Sequence, residues 1–416
     1  MIKNFFIAFC LLFSIFFFAQ EGTSSPYSFY GIGDIKFKGS VDTRAMGGVS
    51  VFPDSIHLNL QNPASYASLK YIAFTIGGNA STTKFKTNTL QERTKRSALD
   101  YIALGIPIGK FGASFGLVPY SAVGYQINSL SSDGNTVRQF VGSGGVNKAF
   151  VGIGYQINKK LSVGMDINFN FGSIKTENAL FSSQALYGTL EKNASSISGI
   201  NINTGLMYNT PLTKKLHLFS SLTYTPESKL NALNSRNIAN VQYSPTIGYI
   251  PLDSAVDVVV PNNSINLPSK IAFGVGVGEN KKWALGAEFT MQQFSNYSNR
   301  FIDITAGKFE NANRIAIGGY IVPKYNSFSS YFARVNYRAG LRYENTGLVI
   351  KNKSITDAAI TAGLGLPVGG MLSNINLGIE YGKRGTRAEN LVEENYLSLT
   401  ISLSLTDKWF VKRKYD

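Results

Sequence analysis

Tyr396-Leu-Ser-Leu-Thr-Ile-Ser-Leu-Ser-Leu405 alternates without a break. Leu397, Leu399, Ile401, Leu403 and Leu405 fall on one side, and Ser398, Thr400, Ser402 and Ser404 on the other. A period of two places these sets on opposite faces of a β-strand. Leucines on one face and small hydroxyls on the other suit a strand with lipid outside and a polar interior.

The same kind of segment recurs upstream, in pairs joined by short basic turns. Ile102–Ile108 meets Phe111–Gln126 through Gly109-Lys110, and Phe150–Gln156 meets Leu161–Phe171 through Asn158-Lys159-Lys160. Ile200–Tyr208 with Leu216–Tyr224, Ile271–Val277 with Trp283–Met291, and Ile360–Leu366 with Ile375–Tyr381 repeat the arrangement, and Arg314–Val322 leads to Ala333–Tyr343 by a looser link. With a first strand near Tyr71–Lys86, the count is about 14, an even number as bacterial barrels require. The connections between pairs, Ser129–Gly145, Thr176–Ser198 and Pro226–Ser269, are longer and polar. Short turns on one rim and long loops on the other are the outer-membrane pattern. The expected fold is all-β, a transmembrane antiparallel barrel over residues 71–406. Trp283 and Trp409 fall at strand ends by the short turns, where indole rings form an interface girdle. In Pro226–Ser269, the Val258-Val-Val260 run reads as a docked or strand-forming lid.

Composition agrees. The chain has 416 residues with 41 glycines and 12% aromatics, which argues against disorder and against a helical bundle. Charged residues are 16% of the chain, below the roughly 25% of soluble domains. The net charge of +15 is spread along the chain, with no basic helix, so nucleic acid is not an expected partner. Two His and one Cys leave little for a metal site or a thiol mechanism. No cofactor is expected.

Met1–Ala19 has a basic start and an apolar run too short to hold a bilayer, and reads as a cleaved signal peptide. Past it no apolar run is long enough for a membrane helix. Export without such a helix points to the outer membrane of a Gram-negative bacterium. Residues 20–70 lack sustained alternation and are rich in Gly, Ser, Pro and Tyr. A barrel of about 14 strands is too wide for its own side chains to fill. The segment is therefore expected to be an N-terminal hatch plugging the lumen, where irregular backbone finds polar partners. Asp34, Arg44 and Asp54 are its candidate charged anchors. Residues 407–416 form a basic C-terminal tail.

Certain motifs carry a resemblance. They are the opening Ser25-Pro26-Tyr27-Ser-Phe-Tyr30-Gly31-Ile-Gly33-Asp34, the Met46-Gly-Gly48 step, and Asn62-Pro63-Ala64. Leu104–Gly109, Gly116–Ser121, Tyr381–Thr386 and Asp407–Asp416 extend it over essentially the whole mature chain. In these the sequence resembles the FadL family of long-chain fatty acid and toluene transport barrels, in particular the FadL-like proteins of the Bacteroidota. The resemblance implies a 14-stranded barrel with a hatch, from which hydrophobic substrates leave sideways through a kink in the third strand. Asn62, Pro63 and Ala64 become the hatch–wall contact.

Pro119 lies inside that third strand, and proline cannot donate to a ladder. Gly112, Gly116 and Gly124 accompany it, and strand glycine favours a bulge. Two readings stand: a lateral opening that faces Asn62-Pro63-Ala64, or a bulge that only bends the wall. The leading function is passive transport of a hydrophobic small molecule, fatty-acid-like or otherwise apolar, released into membrane lipid. The alternative is a non-transporting subunit of a multi-protein outer-membrane machine for secretion or protein assembly, with outer-membrane protein partners on the long loops and tail. Enzyme chemistry is not expected, because His217 has no matching Ser and carboxylate pattern.

Overall fold

A computed structural model describes residues 22–131, 134–244, 248–253, 255–294, 297, 300–301, 307–368 and 373–407. The segment read as a signal peptide, Trp409 and the tail after Asp407 lie outside the described residues.

Fourteen antiparallel strands close into a barrel. In chain order they are β1 (Ile72–Lys86), β2 (Gln91–Ile108), β3 (Phe111–Leu130), β4 (Thr136–Gln156), β5 (Leu161–Ser182), β6 (Gly188–Pro211) and β7 (Leu216–Thr225). The second half comprises β8 (Lys270–Glu279), β9 (Trp283–Gln292), β10 (Ala312–Ile321), β11 (Asn336–Ile350), β12 (Lys353–Val368), β13 (Ser373–Arg384) and β14 (Glu393–Asp407). The seam joins first strand to last, from Ile72 opposite Asp407 to Lys86 opposite Glu393. On β14 the alternation sets the faces: Leu397, Leu399, Ile401 and Leu405 are exposed on the outside, while Ser398, Thr400, Ser402 and Ser404 are buried inside. The exposed apolar positions continue round the wall as a belt suited to hydrocarbon.

The wall is lopsided. Strands β3 to β6 run for 20, 21, 22 and 24 residues, whereas β7 to β10 have 10 each. About ten residues cross a bilayer, so β3 to β6 rise well beyond it. Most of Ser129–Gly145 and Thr176–Ser198, expected as loops, is therefore strand. Above the hydrocarbon the outward positions turn polar, so the apolar contrast fades while backbone pairing continues. Pro226–Ser269 also folds as strand. Ser228–Ser244 pairs with the upper part of β6 and carries three short strands, Gly248–Pro251, Val256–Val258 and Asn263–Leu267, on its far side. Pro251 and Pro261 fall where this outer strand is interrupted, which blunts an otherwise exposed edge.

The wall is also split. The β2–β3 ladder runs only from Ile102 opposite Leu117 to Ile108 opposite Phe111. Above it β2 continues with β1 up to Gln91, and β3 continues with β4 up to Leu130. The register of β3 on β4 shifts between Pro119 and Ser121, a bulge just above the parting. Residues 22–70 pack against the inward faces of strands on both halves of the wall. Ile32 of this segment joins Val123, Tyr125, Val146, Ile174 and Leu230 in an apolar core.

Candidate functional site: the seat of the N-terminal segment

Three short elements shape the segment. Ser25 caps a 3-10 turn at Pro26–Phe29, its Oγ accepting from Tyr27 N at 3.2 Å. A one-turn helix covers Val41–Arg44. Asn62 caps the 3-10 turn Pro63–Ser68, its Oδ1 accepting from Ala64 N at 3.0 Å. In both 3-10 turns a polar residue precedes proline, so the side chain supplies the acceptor and the ring fixes φ.

On the split side the segment lends backbone to the wall. Asp34–Ile35 pairs antiparallel with Ala122 and Ser121 of β3, and Lys36 N donates to Tyr120 O at 3.0 Å. Gly124 N donates to Ser28 Oγ at 3.2 Å, and Ser121 Oγ donates to Ile32 O at 2.7 Å. The edge that β2 leaves open is thus occupied just above Pro119. Gly33 has φ +96°, and a Cβ there would sit 2.5 Å from Ala122 O. The chain approaches β3 too closely for a side chain.

On the far side the wall is complete and the contact is of another kind. Cβ atoms at Gly318 of β10 and Gly340 of β11 would collide with the Met46 backbone. Thr361 Oγ1 donates to Ala45 O at 3.0 Å and accepts from Gly47 N at 2.9 Å. Lower down, Gly164 faces the Pro63–Ala64 backbone, and Gly112 faces the Tyr66 carbonyl. Gly112 therefore serves this close approach and not the Pro119 bulge. Gly116 abuts the Ile102 carbonyl at the top of the β2–β3 ladder. Asn62 Nδ2 donates to Leu206 O of β6 at 3.1 Å. Asn62-Pro63-Ala64 thus sits on β5 and β6, while Ser28, Ile32 and Asp34–Lys36 face the bulge.

Charges pin the segment. Arg384 Nη1 donates to Asp34 Oδ1 at 2.7 Å, and Arg44 Nε donates to Glu380 Oε2 at 2.6 Å. Lys38 Nζ donates to Asp357 Oδ2 at 2.6 Å. Arg342, fully buried, binds Glu380 at 2.6 Å and lies 3.5 Å from Asp357. Ser50 donates from N and Oγ to Glu288 Oε2 at 2.9 and 2.7 Å, and Arg314 holds the other oxygen at 2.8 Å. Asp54, the third expected anchor, makes its bonds within the segment rather than to the described residues of the wall. It caps Ile56 N at 2.9 Å and pairs with His57 Nδ1 at 2.7 Å inside the segment. Burial alone would push Asp54 up and His57 down, but their mutual attraction wins and shifts Asp54 down and His57 up.

The wall partners Asp357, Glu380 and Arg384 were not singled out from the sequence. Their signal was present: charges at inward positions between outward Ile360, Ile379 and Tyr381. In the opening motif, Tyr27 packs beneath the Arg384 guanidinium at 5.5 Å, and Tyr30 stacks edge-on with Phe29. Gly31 has φ +59° beneath the Tyr297 ring. Trp283 is half-buried at the start of β9, opposite Glu279 and Ile321. His217 sits near the short-turn rim, with Nδ1 3.0 Å from Asn209 Oδ1.

Two cavities adjoin these regions. A polar one of about 100 Å³ lies between the segment and the wall, lined by Asp34, Lys38, Arg44, Asp357, Glu380 and Arg384. A groove of about 400 Å³ lies on the outer face of β10 to β13, lined by Ile315, Leu341, Tyr343, Ile360, Tyr381 and Lys383. Neither is an apolar passage from the long-loop end to Pro119.

Solved structures share the fold. The chain is similar to the Ralstonia pickettii toluene transporter TbuX at 13% identity and TM-score 0.59, covering 90% of this chain and 99% of that one. A Pseudomonas aeruginosa FadL homologue matches at 12% identity and TM-score 0.60, covering 90% and 98%. The Pseudomonas putida toluene transporter TodX matches at 17% identity and TM-score 0.57, covering 90% and 98%. At such identities the likeness establishes the fold alone. No curated protein matches in sequence. The family model BamG matches residues 1–416, and the chain belongs to the BamG family.

Proposed function

We propose that this chain is a permanently plugged barrel of the Gram-negative outer membrane, exported with a cleaved signal peptide. It serves as a non-transporting subunit of a multi-protein outer-membrane machine for secretion or protein assembly. One observation carries the reading: the N-terminal segment is bonded to strands on both halves of the wall. Opening by displacement would break partly buried pairs such as Arg44–Glu380 and Lys38–Asp357, although Glu380 and Asp357 would keep Arg342. Each such charged hydrogen bond is worth about 1.5–3 kcal/mol. The backbone contacts at Gly318 and Gly340 would be lost as well. Large apolar side chains exposed on the tall side, Val259 at 99% and Leu186 at 88%, fit contact with other proteins. The BamG match is compatible with this reading. No chemical step and no cofactor is part of it.

A second reading is favoured by one observation, the parting of β2 from β3 at Pro119. In it the barrel passes an apolar molecule sideways into lipid, as the fold shared with hydrocarbon transporters suggests. Native mass spectrometry on the protein from its own outer membrane separates the two. Stable stoichiometric partners without a small ligand support the subunit. A monomer carrying an apolar molecule overturns it. In the second case Pro119→Val should slow uptake and leave folding intact, and unchanged uptake would remove the lateral route.

A further inference from the structure

The short-turn rim is periplasmic by the barrel rule. Most of its described connections are brief and basic: 109–110, 157–160, 212–215 and 280–282, carrying Lys110, Lys159, Lys160, Lys214, Lys215, Lys281 and Lys282. Such a collar suits phosphate headgroups. The connection 322–335 between β10 and β11 is different. It is longer than these, and it is braced from end to end.

Val322 N donates to Lys282 O at 2.6 Å, and Lys324 N donates to Ala333 O at 2.8 Å. Lys281 Nζ lies 4.5 Å from the Tyr325 ring centroid on one side. On the other, Tyr331 Oη donates to Pro367 O at 3.1 Å. Ser327 is buried beneath, its Oγ accepting from Ser330 N at 3.2 Å. A 3-10 turn at Phe332–Arg334 closes the loop, with Arg334 over the Tyr331 ring. This braced frame presents Phe328 at 95% exposure and Phe332 at 72%. The cations around them are Lys281, Lys282, Lys324 and Arg334, and the carboxylate paired among them is Glu279, 2.7 Å from Lys282.

We propose that this arc of the rim is a docking surface for an acidic periplasmic protein, with Phe328 and Phe332 as its apolar anchors. Exposed aromatics beside arginine are the side chains that dominate binding at protein interfaces. A loop ordered before contact loses little entropy on binding. The positive surround selects a negative partner and speeds its approach. A lipid headgroup layer would meet the whole collar alike, and among the described residues of the rim only this arc adds paired phenylalanines on a braced frame. The proposal rests on the reading of the chain as a machine subunit and assigns the face by which it docks.

The test uses the full chain in its own outer membrane, with a photo-crosslinking phenylalanine analogue placed at Phe328 and, as the control, at Lys159. The expected result is a protein adduct from position 328 whose crosslinked peptide is rich in Asp and Glu. Lys281→Glu with Arg334→Glu should lower its yield about tenfold, as should high salt. Heat-shifted gel mobility verifies that each variant barrel is folded. An adduct with lipid only, no adduct, an equal adduct from Lys159, or a yield indifferent to charge reversal overturns the docking surface. A complex that survives intact in a Phe328→Ser, Phe332→Ser double variant overturns the surface and leaves the subunit reading standing. A wild-type chain that is monomeric in native mass spectrometry overturns both.

Discussion

On the β2–β3 side, the N-terminal segment supplies backbone to a wall that lacks it. On the β10–β13 side, it meets a complete wall through glycine contacts and buried charge. The first contact is a strand laid on an open edge, held chiefly by hydrogen bonds, with Tyr101 of β2 accepting from Val41 N at 3.0 Å and Arg44 reaching Asp100 of β2 at 3.4 Å. The second is a set of Arg–carboxylate pairs and sites where no side chain fits. Ladder bonds exchange readily for water or another strand, each being worth about 1 kcal/mol net. The charge-assisted pairs of the far side are roughly twice as strong as neutral hydrogen bonds. The far side therefore anchors the segment, and the split side is where it could part from the wall.

Breaking the anchor should have the largest effect. Gly340→Val sets a branched side chain against the Met46–Gly47 backbone. It should cost about 3 kcal/mol or more and unseat the segment. Protease cleavage within residues 22–70 and a new conductance in planar bilayers would report this. The outward neighbour Ala339→Val should be silent in both assays, and an equal response from the two would refute the backbone-contact account. Glu380→Gln comes next. It removes the carboxylate shared by Arg44 and Arg342 and should cost about 3 kcal/mol in urea unfolding from micelles. Gly33→Ala acts on the split side alone, and strain at positive φ should cost about 1–3 kcal/mol. Hydrogen exchange should rise at Ser121 and Ala122 and stay slow at Gly340, whereas a uniform rise would mean that the two sides are one unit.

The smallest effect is on pH. Burial pushes His57 down, but Asp54 outweighs it and shifts the imidazole up, with Asp42 adding to the rise and Arg338 opposing it. Its contribution is complete below about pH 6.5 and fades as pH rises through the shifted value. Asp54 is shifted down, so its contribution is present above about pH 3.9 and is lost as pH falls through the shifted value. Protease protection of the segment should peak between these limits. His57→Asn should flatten the alkaline limb by less than about 1 kcal/mol, because Asp54 is partly exposed.

Period-two alternation and paired segments made the barrel and its strand number legible, since one face meets lipid and the other does not. Strand ends above the belt were not legible, because outward residues there are as polar as inward ones. Pro119 could be read as a break, because a closed ladder has no place for proline. That β2 and β3 part just below it could not, since parting depends on what else pairs with the edge. Asn62 could be read as capping a turn, since its side chain precedes a proline, whereas the like role of Ser25 appears only in the structure. Asp34 and Arg44 showed themselves as charges in need of partners, but Arg384 lies 350 residues from Asp34, and no local pattern joins them.

That separation has a consequence for timing. Asp34 and Arg44 leave the ribosome first, and their partners on β13 leave almost last. The seam, too, waits for the final strand. Contacts between such distant parts of a chain form slowly. A chain truncated before β13 can neither close its wall nor neutralise its own beginning. Closure and seating thus proofread completeness: only a chain that includes β13 and β14 can close the wall and pair Asp34 and Arg44, and a shorter one stays marked by exposed charge and an open edge.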